Sequence, residues 1–283
     1  MKLGVSSYSF SKHLAATGCG YIAICDIAKE IGFEGIEFIN LKNEKWGEND
    51  DEFVIAEKIR AHCKEIGLEI IAYTVGANLL AEDIESEMAK LKHCVDIAKA
   101  LGAPIMRHDV AYKLSDIGCE EAIVKIAPYI NEITEYAKTK GIKTCTENHG
   151  FVFQAPEIVK ALIDAVNNPN YGWLCDMGNF LCVDAEPLRS VEIAAPYAFH
   201  VHAKDFLFKS KDEEKPSGFS ITTTGGNYIR GTVAGHGVVP IKNCIDTLRK
   251  SGYDGWLSLE FEGAEENIEA IKNGYANLKN YVR

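Results

Sequence analysis

The chain has 283 residues, 30 basic and 41 acidic, for a formal net charge of −11. Such a surface repels both a phosphate backbone and an anionic membrane face, so neither nucleic acid nor membrane is expected as a partner. With 47% apolar and 25% charged residues, the composition is that of a folded domain with a sizeable core, not a disordered chain.

The N-terminal MKLGVSSYSF lacks the apolar stretch and small-residue cleavage pattern of a secretory leader. No run of about 18 apolar residues suggests a membrane span. The expected location is the cytoplasm. The nine cysteines form no CxxC pair, are odd in number and sit mostly in apolar runs. They read as reduced, buried thiols.

In chain order, eight short apolar runs read as strands: 2–9, 35–40, 68–75, 103–110, 142–149, 171–178, 197–205 and 255–262. Each is bounded by Gly, Pro or Asn signals or by a helical pattern. The clearest helix spans 115–140, where Ala122, Ile123, Ile126, Ala127, Ile130, Ile133 and Ala137 make one apolar stripe. The last helix repeats the pattern with Ile268, Ile271, Tyr275 and Leu278. Pro156 and Pro240 open helices, and Gly252 closes one.

Eight strand–helix units of about 35 residues imply parallel strands and favour a closed barrel over an open doubly wound sheet. No G-x-G-x-x-G follows the first strand, which argues against a dinucleotide-binding sheet. The expected fold is therefore α/β, a single-domain (β/α)₈ TIM barrel over residues 1–283. One segment, about 206–239, lacks periodicity and is far longer than an ordinary connection. It is expected to be a long loop over the active-site mouth.

Chemistry in such a barrel sits at the C-terminal ends of the strands. There the fifth strand offers Glu147 and His149, and the sixth Asp176. The seventh offers His200, His202 and Lys204, and the eighth Glu260 and Glu262. Side chains alternate along a strand, so 200, 202 and 204 share the inner face at rising height. Buried carboxylates repel one another unless a cation lies between them. Glu147, Asp176, His202 and Glu260 together suit one divalent ion, Mn²⁺ first, with Mg²⁺, Co²⁺ or Zn²⁺ as alternatives. His200 reads as structural and Glu262 as a rim carboxylate.

The stretches GFEGIEF (32–38), TENHG (146–150), CDMGN (175–179), HVHAKD (200–205) and GYDGWLSLEFE (252–262) resemble the sugar phosphate isomerase/epimerase family of xylose isomerase-like TIM barrels. That resemblance implies the same four metal ligands, with Glu147 and Glu260 also exchanging protons with substrate. Ketose epimerases of the group carry a histidine three residues after the metal-binding aspartate. Asn179 stands there in this chain, whereas related members process keto-inositols or oxidised sugars. AGHGVVP (234–240) resembles a Gly-x-Gly turn before the last unit, with His236 where an acidic residue is common. A homodimer or homotetramer is implied as well.

The expected activity is proton transfer beside the carbonyl of a small keto sugar or keto-cyclitol, an isomerase or epimerase reaction. Glu147 and Glu260 are its catalytic groups, with His149 as an extra base or a hydroxyl-binding group. His108, Asn179, Lys204, Arg230 and His236 are expected to bind substrate. The same site serves a lyase that expels water from an inosose or eliminates from a 3-keto glycoside. A non-catalytic sugar-binding barrel is a further alternative. An endonuclease IV-like role is disfavoured by the acidic surface and by the absence of an Asp-x-His pair after HVHAKD.

Overall fold

The computed structural model describes residues 1–114 and 117–283. Eight parallel strands close into a barrel: β1 (Lys2–Ser6), β2 (Gly35–Ile39), β3 (Glu69–Val75), β4 (Ile105–His108), β5 (Lys143–Glu147), β6 (Tyr171–Asp176), β7 (Ala198–Ala203) and β11 (Trp256–Leu259). Each pairs with the next in sequence, and β11 closes the ring between β7 and β1. The strands are shorter than their apolar runs suggest. The first ends at Ser6, whose hydroxyl accepts from the Tyr8 amide and turns the chain into a 3₁₀ turn.

The helices are α1 (Ser11–Thr17), α2 (Gly20–Ile31), α3 (Glu52–Ile66), α4 (Ile84–Leu101), α5 (Cys119–Thr139), α6 (Pro156–Val166), α7 (Pro187–Ala194), α8 (Ile241–Lys250) and α9 (Asn267–Tyr281). Side-chain caps start several of them, such as Asp51 on the Phe53 amide and Asp83 on the Ser86 amide. α6 opens on Pro156, and α8 begins just after Pro240. Residues 115 and 116 of the predicted 115–140 helix lie outside the described residues. From Cys119 onward its whole apolar stripe is buried, although Pro128 lies inside it. Among the described residues, no helix is long and apolar enough to cross a membrane. All nine cysteines are free thiols.

The segment expected to be a loop over 206–239 is partly a second sheet. β8 (Asp205–Lys209) pairs antiparallel with β10 (Tyr228–Thr232), which pairs with β9 (Ile221–Thr222). The sequence hid it because β9 has two residues and a charged stretch separates the partners. Buried Phe206, Ile229 and Cys182 form a small core of their own beneath this sheet.

Asp205 fixes the sheet to the barrel. One carboxylate oxygen accepts from the amides of Gly235 (2.9 Å) and Gly237 (2.8 Å). The other accepts from Phe206 (2.9 Å) and Val239 (3.0 Å). Gly237 has no room for a side chain, because an added Cβ would collide with the Asp205 carboxylate and the Phe206 carbonyl. This turn explains the Gly-rich AGHG stretch as an aspartate cradle. Replacing Asp205 by Ala orphans four amides, two of which belong to this turn. Urea unfolding of Asp205→Ala is expected to show a loss of about 2–4 kcal/mol. An unchanged midpoint would remove Asp205 from the role of anchor.

Candidate metal centre and active site

At the C-terminal mouth, one ligand atom each from Glu147, Asp176, His202 and Glu260 lies within 4.8 Å of the others. All four residues are buried. His202 Nδ1 stands 3.7 Å from Glu147 Oε1, 3.7 Å from Asp176 Oδ2 and 3.6 Å from Glu260 Oε2. These separations are too long for hydrogen bonds. They match the edges of a coordination shell whose ligands stand about 2.0–2.2 Å from one ion. His202 Nδ1 and Asp176 Oδ2 are also buried without a hydrogen-bond partner, the condition of a donor set built around a cation. Three carboxylate oxygens and one imidazole nitrogen suit Mn²⁺, Mg²⁺, Co²⁺ or Zn²⁺.

Each ligand is held from behind. Asp176 Oδ1 accepts from the amides of Gly178 and Asn179, both at 2.8 Å, which leaves Oδ2 aimed at the centre. Glu147 Oε2 lies 2.9 Å from the Arg107 guanidinium, and its Oε1 accepts from Asn179 Nδ2 at 2.9 Å. Glu260 Oε2 lies 2.5 Å from Lys204 Nζ, which also approaches Glu262 at 3.3 Å and donates to Asn179 Oδ1 at 3.2 Å. On β2, Glu37 reaches across the barrel interior. Its Oε2 accepts from His200 Nε2 at 2.6 Å. Its Oε1 lies 2.6 Å from His202 Nε2, a close charge contact off the line of a hydrogen bond. With a cation on Nδ1, a proton on Nε2 would face this carboxylate.

Burial dominates the electrostatics, and paired charges answer it. Burial raises the Glu260 carboxyl, but Lys204 and His202 outweigh it and hold the group well below its usual range. Burial likewise opposes ionised Glu147, and Arg107 overcomes it. For Asp176 burial wins over the pull of Lys204, so its carboxyl is raised. Around the mouth Asp109, Glu147, Asp176, Glu260 and Glu262 face two permanent cations, Arg107 and Lys204. The excess of negative charge is the physical case for an added divalent ion.

Above the four ligands lies a cavity of about 400 Å³. Glu147 and Glu260 line it, and Asp176 and His202 do not. Tyr8, Arg107, Asp109, His149, Lys204 and Glu262 also face it. His149 Nδ1 donates to Asp109 Oδ1 at 3.1 Å. Burial works against the charged ring, but this bond and the Glu147 charge raise its pKa. Burial and the Glu262 charge push the Tyr8 hydroxyl up to about 12, so it is a neutral donor.

Three expected substrate contacts are not brought here. His108 is buried on the outer face of β4, where its Nδ1 donates to the Asp109 carbonyl and its ring stacks on Tyr171. The neighbouring Arg107 has the inward position, because alternation on β4 runs opposite to the sequence reading. Arg230 lies on β10 with its guanidinium over the Phe219 ring. His236 is exposed in the Asp205 turn and does not line the cavity. Asn179 is near the ligands, bonded to Glu147 and Lys204. Sequence reasoning missed Glu37, Arg107, Asp109 and Tyr8. A lone charge inside an apolar strand, as in GIEFI and IMRH, was the available signal for Glu37 and Arg107.

A family model described as xylose isomerase-like TIM barrel matches residues 25–281. An inosose dehydratase of Lacticaseibacillus casei is 24% identical over 253 residues, 84% of each chain. One of Yersinia enterocolitica is 30% identical over 142 residues, 49% of this chain. The chain spans about half the length of that relative (47%). Among solved structures, the probable 3-DHS dehydratase AsbF of Bacillus anthracis superposes with a TM-score of 0.77 at 21% identity, covering 99% of both chains. The IolI protein with a bound zinc atom gives 0.77 at 17% identity, covering 100% of this chain and 98% of its own.

Glu37→Gln is expected to weaken Mn²⁺ or Zn²⁺ binding about 10–100-fold, read by competition with a chromophoric chelator. An affinity equal to wild type would show that Glu37 does not orient His202. Saturating metal is expected to raise the melting temperature, with about 2.7 kcal/mol of stabilisation at a hundred times Kd, reversed by EDTA.

Proposed function

The chain belongs to the xylose isomerase-like TIM barrel family, and from that premise we propose that it is a metal-dependent lyase that removes water from a keto-cyclitol or a similar β-hydroxy keto sugar. The observation that carries this reading is the cavity itself. Two of the four metal-site residues, Glu147 and Glu260, face it, beneath an acid–base pair, His149 with Asp109. Relatives named inosose dehydratase favour loss of water over the epimerisation expected from the sequence.

Glu147, Asp176, His202 and Glu260 would hold a divalent ion, which when bound would supply a Lewis acid for negative charge developing on a substrate oxygen. Glu260 takes the C–H proton beside the carbonyl, since it faces the cavity and Lys204 keeps it ionised. The C–H electron pair becomes the new C=C bond, and the C–O bond on the next carbon breaks. His149 gives its proton to the departing hydroxyl, which leaves as water. Asp109 orients the His149 ring, and Arg107 orients both Asp109 (2.7 Å) and Glu147. Tyr8 donates a hydrogen bond to a substrate hydroxyl. Asp176 and His202 lie below the cavity and would serve only to hold the ion.

The test is incubation with a keto-inositol in D₂O with Mn²⁺ or Zn²⁺, followed by NMR and by absorbance of the conjugated enone. Loss of water with the appearance of the enone is expected. Epimer formation or C–H exchange with no enone would return the assignment to an epimerase. Glu260→Gln is expected to lose turnover while the fold persists, and His149→Ala to lower kcat about 10²–10⁴-fold.

A further inference from the structure

A second cavity of about 150 Å³ adjoins the first and shares His149, Lys204 and Glu262 with it. Its far wall is apolar: Phe151, Cys182, Phe206 and Ile221. Phe206 and Ile221 come from the small sheet, and Cys182 from the 3₁₀ turn after β6.

The polar groups on its remaining wall are already engaged. Gln154 Oε1 accepts from the Phe151 amide at 2.5 Å, and its Nε2 donates to the Asn179 carbonyl at 2.6 Å. Asn179 spends its own amide on Glu147 and Lys204. A guest there finds apolar surface on the far side, with the charged groups His149, Lys204 and Glu262 on the side shared with the larger cavity.

Phe151 is the distinctive residue. Its backbone is left-handed, with φ of 68°, a strained conformation for an aromatic residue. The residue is 47% exposed, against the usual tendency of aromatics to bury. The Gln154 latch holds the strained turn in place. Strain retained at a cavity rim, presenting an open aromatic face, is a pattern of ligand sites.

We propose that this annex is a substrate subsite for an apolar ring attached to the sugar or cyclitol that sits over the metal centre. The substrate is then a two-part molecule: a polar ring in the larger cavity and an aryl or similar cyclic substituent against Phe151 and Ile221. A space of about 150 Å³ holds a benzene-sized ring. The inference rests on the reading that the larger cavity takes a sugar-like ring, not on which reaction follows.

The test uses ligands that cannot be turned over because they lack the carbonyl. Affinities of phenyl and methyl β-glucoside for the Mn²⁺-loaded protein are compared by calorimetry. The phenyl compound is expected to bind about tenfold or more tightly. Phe151→Gly, which suits the left-handed backbone, and Ile221→Glu are each expected to abolish that preference and leave the methyl glucoside unaffected. Equal affinity of the two glucosides for the wild type, or a preference that survives both substitutions, overturns the subsite. A phenyl preference lost in both variants upholds it even if keto-inositols are not dehydrated. Dehydration without a phenyl preference refutes this inference and leaves the lyase assignment intact.

Discussion

Buried negative charge is the constraint around which this barrel is organised. Glu147, Asp176 and Glu260 converge on one imidazole nitrogen at the mouth, and water no longer screens them. Removing one ionised carboxylate from water is costly, and collecting three is costlier still. The surrounding residues are compensations for that cost. Arg107 and Lys204 bring permanent charge, Asn179 bridges Glu147 and Lys204, and a backbone turn occupies the spare oxygen of Asp176. The histidine is disciplined by yet another carboxylate, Glu37. Such a set keeps a single geometry because every alternative strands a charge.

The parallel topology makes this convergence cheap in design. Every strand of the barrel delivers its last residues to the same end, so ligands from β5, β6, β7 and the residue after β11 meet without long loops. What varies is the rim. Here the rim carries a small antiparallel sheet, pinned by the Asp205 cradle and tied by Asp184 to the Thr223–Asn227 turn. The sheet walls off one side of the mouth with Phe206 and Ile221 and gives the site a second compartment of different polarity.

The eight-fold alternation was legible in the sequence because strand and helix periods differ and turn residues separate them. The convergence of Glu147, Asp176, His202 and Glu260 was legible because each stands at the end of one of four successive strands. His108 was misread because β4 is short and its inward parity cannot be set from composition. Reading its end as His108 instead of Arg107 puts the wrong side chain in the cavity. Arg230 and His236 were misplaced because the segment around them forms a sheet by pairing residues far apart, and no local period announces such pairing. Glu37 carried a signal, a lone acid in an apolar strand, but its partners lie far along the chain. Asp109 and Tyr8 lie just beyond strand ends, where the line between strand and turn decides what faces inward.

Glu37 belongs to the second strand, and the histidines it grips belong to the seventh. The four side chains that converge at the mouth therefore all come from the later half of the polypeptide, while the carboxylate behind His202 comes from the earlier half. A cylinder whose second and seventh strands have not yet come together has these four side chains but not the carboxylate behind His202. The charge contact across the interior is therefore made only when the two halves of the ring have met.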